Sequence, residues 1–171
     1  AVGRLSYQKA FDVLIDAVPG LIREYPHLTL NICGEGPLMS DLQSQISNLD
    51  LSDHVKLLGV WMNMAPLLAI ADIFILSSRF EGLSRAMLEA MAAGVPVVAT
   101  RGEGVEEVIV DGVHGLLVAP EEPVELSQAL IHMVQHPEQR KQMGAAAREL
   151  IMRSFTTNVM FEKYYELIVN L

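Results

Sequence analysis

Two carboxylates separated by eight positions are the most chemically informative residues of this sequence. Glu81 and Glu89 lie in the segment RFEGLSRAMLE, with Arg85 midway between them. If a helix extended back to Glu81, all three side chains would share one face. Two such carboxylates can accept hydrogen bonds from the vicinal hydroxyls of a sugar or ribose ring. The alternative interpretation is a pair of exposed Glu–Arg contacts, each worth about 0.3–0.5 kcal/mol.

Two cations near the start of the chain complement these carboxylates. Arg4 follows Gly3 at the expected end of a first strand, and Lys9 begins the first predicted helix. An arginine fork and a lysine point charge at the carboxyl end of a strand can hold a diphosphate. The alternative for both residues is a solvated position on the surface.

The segment between the two carboxylates also contains a helix start that suits an anion. Ser84 is a favourable N-cap residue, and Gly82 allows a ligand to approach the backbone closely. The free N–H groups of residues 83–85 would then face a bound anion, assisted by the helix dipole.

Glycines mark two further loops. Gly34 and Gly36 form a turn after a predicted strand, but Met39 stands where the dinucleotide-binding fingerprint requires a third glycine. That motif is therefore excluded, and the turn either lets a ligand approach the backbone or simply joins a strand to a helix. Gly102 and Gly104 lie in a comparable loop, which either faces the ligand or is an ordinary connection.

These loops would be positioned by an alternation of short apolar strands and amphipathic helices. Strands are predicted over residues 28–33, 55–58, 73–76, 97–99 and 116–118, after a first strand that ends near Arg4. Helices are predicted over residues 9–25, 38–49, 64–70, 84–93, 124–135, 137–153 and 157–169, with a short one within 105–110. The alternation predicts an α/β fold: a doubly wound parallel sheet, Rossmann-like, with extra C-terminal helices. In such sheets ligands bind beyond the carboxyl ends of the strands, where the loops above lie.

The composition fits one folded domain and narrows the choice of partners. The chain has 171 residues, of which 51% are hydrophobic and 19% are charged, as in a globular protein. Its formal net charge of −9 argues against nucleic acid as the main partner. Cys33 is the only cysteine, so no internal disulfide can form, and we expect a cytoplasmic location. The histidines show no metal-ligand spacing, and no uncharged apolar run reaches the about 18 residues of a membrane span.

Taken in order, the motifs resemble the C-terminal, donor-binding half of group 1 glycosyl transferases, which are retaining nucleotide-sugar enzymes of the GT-B architecture. The resemblance runs the whole length of the chain. It comprises GRL at 3–5 with Lys9, GEGP at 34–37, VKLLG at 55–59, ADIFIL at 71–76, EGL at 81–83, LEAMAAGVPVVA at 88–99, EVI at 107–109 and DGVHGLLV at 111–118.

The resemblance implies a role for each matching residue. As catalytic residues, Arg4 and Lys9 would bind the donor diphosphate and stabilise charge on the leaving group, while Glu81 would contact the hydroxyls of the donor sugar. Glu89 would contact the ribose hydroxyls. Further donor-binding positions are Gly82, Leu83 and Ser84 for the sugar and phosphates, Gly34, Gly36 and Gly59 around the base, and Gly3 in the motif that contains Arg4. No metal or other cofactor is expected if two cations and a helix terminus neutralise the diphosphate.

The function implied is sugar transfer from a nucleotide diphosphate sugar to an acceptor, as in glycan or polysaccharide biosynthesis. The family places the acceptor on an N-terminal domain that this sequence does not contain. Residues 1–171 are therefore expected to form the donor-binding domain, to be inactive alone, and to leave any membrane contact to the absent half.

Two departures from the family pattern and two alternative functions remain at this point. Ala10 replaces the glycine that usually follows the lysine, and Glu103 replaces the first glycine of a usual pair. The alternatives are a non-catalytic module that binds a nucleotide sugar, and another GT-B-like enzyme such as an epimerase.

Overall fold

The chain folds as alternating strands and helices in a computed structural model that describes residues 1–169. A 3₁₀ helix at Tyr7–Lys9 precedes the first α-helix. The α-helices are α1 (Phe11–Glu24), α2 (Met39–Asn48), α3 (Ala65–Ile70), α4 (Arg85–Ala92), α5 (Glu103–Glu106), α6 (Pro123–Gln135), α7 (Pro137–Ser154) and α8 (Thr157–Val169). The strands are β1 (Leu30–Ile32), β2 (Val55–Leu57), β3 (Phe74–Leu76), β4 (Val97–Thr100) and β5 (Gly115–Val118).

All the strand pairs are parallel, and helices cover both faces of the larger sheet. Side chains of β3 and β4 alternate between two cores because successive residues of a strand point to opposite faces. Ile75 and Val98 lie in one core with residues of α1 and α6. Phe74 and Val97 lie in the other core with residues of α4 and α7. The predicted α/β, doubly wound architecture is thereby confirmed.

The strands nevertheless form two sheets, in the orders β1-β2 and β3-β4-β5, where one sheet was expected. The predicted first strand is reduced to a single bridge between Val2 and Cys33. The N–H of Gly3 donates to the carbonyl of Cys33 at 2.9 Å, and the N–H of Cys33 donates to the carbonyl of Ala1 at 2.9 Å. Within the described residues this segment forms backbone bonds to the β1 side only, so it does not connect β1 to β3.

The start of the first helix also differs from the prediction. Lys9 belongs to the 3₁₀ helix, and α1 begins two residues later. Ala10 separates the two with a left-handed backbone, at φ 49° and ψ 41°. This conformation costs a non-glycine residue roughly 1–2 kcal/mol, which explains why the family usually has glycine there. Ala10 is fully buried, so packing of its methyl group offsets part of that cost.

The glycine turn after β1 packs directly on the first residues of the chain. A Cβ added to Gly36 would overlap the backbone of Leu5, and one added to Gly34 would overlap the carbonyl of Gly3. The N–H of Leu5 also donates to the carbonyl of Glu35 at 2.9 Å. The tight turn is therefore required by backbone packing, whatever else it does.

Gly36→Ala should destabilise the fold by about 2–4 kcal/mol, because the new methyl group meets backbone that cannot turn aside. Gly102→Ala is the matched control, since a Cβ there meets nothing within 4 Å. Its effect should stay below about 1 kcal/mol. Urea unfolding followed by circular dichroism measures both, and equal effects would contradict the packing argument.

Candidate functional site

The centre of the candidate site is an ion pair between two of the predicted residues. The Nζ of Lys9 donates to Oε2 of Glu81, 72 positions away in the sequence. Only 17% of the Lys9 side chain and 13% of the Glu81 side chain are exposed. The hydroxyl of Ser78 donates to the same carboxylate oxygen at 3.0 Å. One predicted cation and one predicted carboxylate thus meet just beyond the carboxyl end of β3.

Three hydrogen bonds to backbone carbonyls fasten the turn that bears Lys9 to the loop that bears Glu81. The hydroxyl of Ser77 donates to the carbonyl of Lys9 at 2.9 Å. The N–H of Arg79 donates to the carbonyl of Gln8 at 2.8 Å, and the side-chain amide of Gln8 donates back to the carbonyl of Phe80 at 3.1 Å. These three bonds bracket the ion pair on both of its segments.

Gly3 lies under the side chain of Lys9. A Cβ added to Gly3 would lie 3.1 Å from Cδ and from Cε of Lys9, so the lysine stem passes close over the glycine backbone. The lack of a side chain at Gly3 leaves room for Lys9 to reach across.

Arg79 is the residue of this site that sequence reasoning missed. Its guanidinium forms a two-pronged pair with Asp12, at 3.1 Å and 2.6 Å, and its Nε donates to Glu121 at 2.8 Å. It also donates to the carbonyl of Tyr7 at 2.7 Å and stacks 4.0 Å from the centre of that ring. The available signal was a basic residue two positions before Glu81 in an acidic chain.

The pairing with Arg79 changes the titration of its main partner. Burial alone would raise the pKa of the Asp12 carboxyl, but the hydrogen bonds and charge of Arg79 outweigh that effect and hold the pKa below its ordinary value. The hydrogen bonds from Arg79 to Asp12 are also the main cause that raises the pKa of Arg79 above its ordinary value.

The start of α4 has the predicted cap. The hydroxyl of Ser84 accepts a hydrogen bond from the N–H of Met87 at 3.4 Å, while Gly82 and Leu83 are exposed just before it. Gly104, at the start of α5, packs so closely on the backbone at Gly82 that a Cβ there would overlap it. The loop after β4 thus supports the loop that contains Glu81.

The structure does not bring every predicted site residue into contact. Arg4 and Glu89 are exposed, and neither takes part in an ion pair within residues 1–169. The helix begins at Arg85 and does not extend back to Glu81, so the condition for a common face of Glu81, Arg85 and Glu89 is not met. The reason is that Ser84 caps the helix after Gly82, which ends the helical path before it reaches Glu81.

The remaining predicted glycines come together at the neighbouring strands. The N–H of Gly34 donates to the carbonyl of Gly59 at 2.7 Å, which places the loops after β1 and β2 side by side. Gly36 lies in the same turn, against Leu5. Glu103, the departure from the family pattern, is exposed in the first turn of α5.

A large groove lies elsewhere in the molecule. It has a volume of about 720 Å³ and lies between β1 and β3, with Leu30, Leu68 and Ile75 in its lining. Neither Lys9 nor Glu81 borders it. The candidate site at the ends of the strands is therefore distinct from this apolar groove.

Among residues 1–169 no group of three or more His, Cys, Asp or Glu side chains is arranged to hold a metal ion. Within the same residues no helix combines the length and apolar character needed to cross a membrane.

Comparison with known proteins identifies the family. The model of the family described as glycosyl transferases group 1 matches residues 1–150. The chain belongs to this family.

Similarity to curated relatives extends over nearly the whole chain. The lipopolysaccharide core biosynthesis glycosyltransferase LpsE of Rhizobium meliloti is 29% identical over 170 residues, which are 99% of this chain and 49% of LpsE. A GDP-mannose-dependent monoacylated alpha-(1-6)-phosphatidylinositol monomannoside mannosyltransferase of Corynebacterium glutamicum is 36% identical over 169 residues, covering 94% of this chain and 44% of that enzyme. The chain thus spans about half the length of these curated relatives.

A solved structure gives the same picture. HepE from Anabaena, in complex with UDP, superposes with a TM-score of 0.92 at 27% identity, covering 99% of this chain and 48% of HepE. HepE has also been solved in complex with UDP-glucose. The fold of this group 1 glycosyl transferase chain therefore matches one half of a protein that binds a nucleotide sugar.

Asp12→Asn should flatten the dependence of stability on pH in this glycosyl transferase chain. The pKa of Asp12 is lowered in the folded state, so its carboxylate stabilises the fold above the ordinary pKa of aspartate, about 4. This contribution is lost as the pH falls through the lowered folded value. The variant should lower the free energy of unfolding by about 1 kcal/mol at pH 7, and this difference from the wild type should shrink as the pH falls below about 4.

Urea unfolding at a series of pH values tests this expectation. Asp53→Asn is the matched control, because Asp53 is exposed and takes part in no ion pair within the described part of the chain. If the free energy of unfolding of Asp12→Asn stays below that of the wild type by a constant amount from pH 7 to about pH 2, the lowered pKa of Asp12 is contradicted.

Proposed function

We propose that this chain is the donor-binding part of a retaining glycosyltransferase, and that it holds a nucleotide diphosphate sugar across Lys9 and Glu81. The observation that carries the proposal is the meeting of the Lys9 ammonium and the Glu81 carboxylate beyond the end of β3. A cation for a phosphate and an acceptor for sugar hydroxyls stand side by side there. In doubly wound sheets this edge is where ligands bind.

The donor diphosphate is assigned to Lys9, Arg4 and the start of α4. Two cations and the first N–H groups of a helix all favour a bound negative charge. Those N–H groups are free to bind it because they have no partner within the helix. During transfer the bond from the anomeric carbon to the diphosphate breaks, and negative charge grows on the leaving oxygen. Fixed positive groups at that point stabilise the transition state more than the bound donor. The proposal therefore includes no metal ion.

The sugar and the ribose are assigned to the two carboxylates. In the proposed complex Glu81 accepts hydrogen bonds from hydroxyls of the donor sugar, beside the backbone of Gly82, Leu83 and Ser84. Glu89, one turn into α4, accepts bonds from the ribose hydroxyls. Its exposed position and lack of an ion pair in the described chain support this role, because no internal partner competes for it.

The base is assigned to the loops after β1 and β2. The hydrogen bond between Gly34 and Gly59 joins these loops and supports a common surface for an aromatic ring. Relatives include proteins named for GDP-mannose and a structure with UDP, so both uridine and guanosine nucleotides belong in the tests.

The acceptor and the location belong to the same proposal. A second, N-terminal domain would supply the acceptor site and any contact with a membrane, which fits the share of the relatives' length that this chain spans. The product would be a glycan, polysaccharide or glycolipid. A cytoplasmic location fits a chain with one cysteine, Cys33, and hence no internal disulfide.

Lys9→Met should weaken the binding of UDP or GDP to this chain at least about tenfold, because the variant loses a charge-assisted contact to the diphosphate. Binding of UMP or GMP, which lack the second phosphate, should change less than about threefold. NMR titration of the 171-residue chain measures these affinities, with millimolar nucleotide as the upper limit.

The matched control is Lys56→Met, since Lys56 is exposed and bonds only to the carbonyl of Ser52 within the described residues. Its affinity for UDP and GDP should equal that of the wild type. No shift with UDP, GDP or ADP at millimolar concentration would end the donor-binding proposal.

Glu89→Ala should weaken the binding of the preferred nucleoside diphosphate about tenfold but leave its 2′,3′-dideoxy analogue nearly unchanged. The reason is that the carboxylate has no hydroxyl to accept from in the analogue. Glu149→Ala on α7 provides an exposed control. Equal losses with the two ligands would remove Glu89 from the ribose site.

A further inference from the structure

Arg79 is mostly buried and has several partners, although it has no proposed contact with the sugar donor. Only 10% of its side chain is exposed. Its guanidinium donates four hydrogen bonds to three residues: Asp12, Glu121 and the carbonyl of Tyr7. The Tyr7 ring stacks on the guanidinium plane at 4.0 Å. A side chain held at this many points has a fixed position.

The partners of Arg79 lie on both sides of Lys9 in the sequence. Tyr7 precedes Lys9 by two positions, and Asp12 follows it by three. Glu81 follows Arg79 itself by two positions, and the Arg79 N–H donates to the carbonyl of Gln8 at 2.8 Å. The arginine therefore grips the segment of Lys9 from both ends while its own backbone leads into Glu81.

We propose that Arg79 is a positioning residue: its clamp on Tyr7, Asp12 and Glu121 sets the separation of Lys9 from Glu81. As far as the diphosphate is concerned, the inference rests on the function proposed above. Glu121 anchors the clamp from a third element, the loop between β5 and α6, where its own backbone has a positive φ of 60°. The positions of Lys9 and Glu81 thus depend on a loop that has no proposed contact with the sugar donor.

The clamp requires an arginine specifically. A guanidinium offers five N–H donors in one plane, so it can serve two carboxylates and a carbonyl at once. A lysine in its place retains the charge but has a single donor atom, which cannot reach three acceptors in different directions. Arg79→Lys should accordingly restore only part of what Arg79→Gln loses.

The first test needs no ligand and reads the accessibility of the Lys9 amine. Trace acetylation followed by mass spectrometry gives the labelling rate of Lys9 relative to the exposed lysines Lys56, Lys141 and Lys163. In Arg79→Gln this relative rate should rise about fivefold, because the amine leaves the carboxylate of Glu81. Arg79→Lys should fall between this variant and the wild type.

A matched control separates positioning from general stability. Arg140 on α7 is also mostly buried, donates to the carbonyl of Met133 and pairs with Asp72. Arg140→Gln should cost comparable stability and leave the relative labelling of Lys9 unchanged. If Arg79→Gln fails to fold, Glu121→Ala removes one acceptor of the clamp from an exposed residue and should raise Lys9 labelling about twofold.

The second test measures nucleotide binding in a double-mutant cycle with Lys9. Arg79→Gln should weaken UDP or GDP about fivefold in the wild-type background, and UMP or GMP less than about twofold. In the Lys9→Met background the same change should cost almost nothing, because Arg79 acts through Lys9.

The outcomes separate the inference from the proposed function. Unchanged Lys9 labelling in folded Arg79→Gln, or an equal rise in Arg140→Gln, overturns the positioning role even if nucleotides bind. The positioning role is also overturned if Arg79→Gln weakens nucleotide binding as much in the Lys9→Met background as in the wild-type background. Absence of nucleotide binding by the wild type overturns the proposed function alone, while a specific rise in Lys9 labelling then still supports the clamp.

Discussion

The meeting of the Lys9 ammonium with the Glu81 carboxylate is the contact that the rest of the site depends on. Its partners are 72 positions apart, so the whole first half of the fold must be in place before they can meet. The parallel topology achieves this by placing the loops after successive strands at one edge. Gly3 then gives room to the lysine stem, and Ser78 orients the carboxylate.

The same ion pair also shapes the energetics of binding. The chain has a net charge of −9, and Lys9 is one of its 12 basic residues. A donor diphosphate must take the place of a carboxylate that already satisfies the lysine, so part of the attraction is given up on binding. The ion pair also preorganises the site, because both side chains are held at the edge of the sheet before a ligand arrives. Less side-chain conformational entropy is then lost when the ligand binds.

Sequence reasoning reached the parts of this structure that depend on local patterns. Hydrophobic periodicity located the strands and helices, and the serine before an apolar helix located the cap at Ser84, because both signals involve residues that are close along the chain. The edge rule for parallel sheets placed Lys9 and Glu81 at the same edge, but their ion pair was not predicted. The clamp by Arg79 could not be foreseen, because Asp12 and Glu121 lie 67 and 42 positions away and no local pattern connects them. Alanine itself carries no signal for a positive φ, so the left-handed backbone of Ala10 was indicated only by the glycine that the family usually has there.

The division of the strands into two sheets gives the molecule an internal seam. Strands β1 and β3 are not joined by ladder hydrogen bonds within the described residues, so side-chain packing and the bonds of the Lys9 turn hold the two blocks together. Packing contacts are short-ranged and are lost together when surfaces separate by about an ångström. If the block with β1 and β2 opened as a unit while β3, β4 and β5 stayed paired, that opening would be a sub-global unfolding step of its own. The segment that ends at Lys9 spans the seam, because Gly3 bonds to the β1 side and Gln8 bonds to the loop after β3. Amide protons in β1 and β2 would then exchange with solvent through an opening that also takes the site apart, which links local unfolding to the affinity of the site.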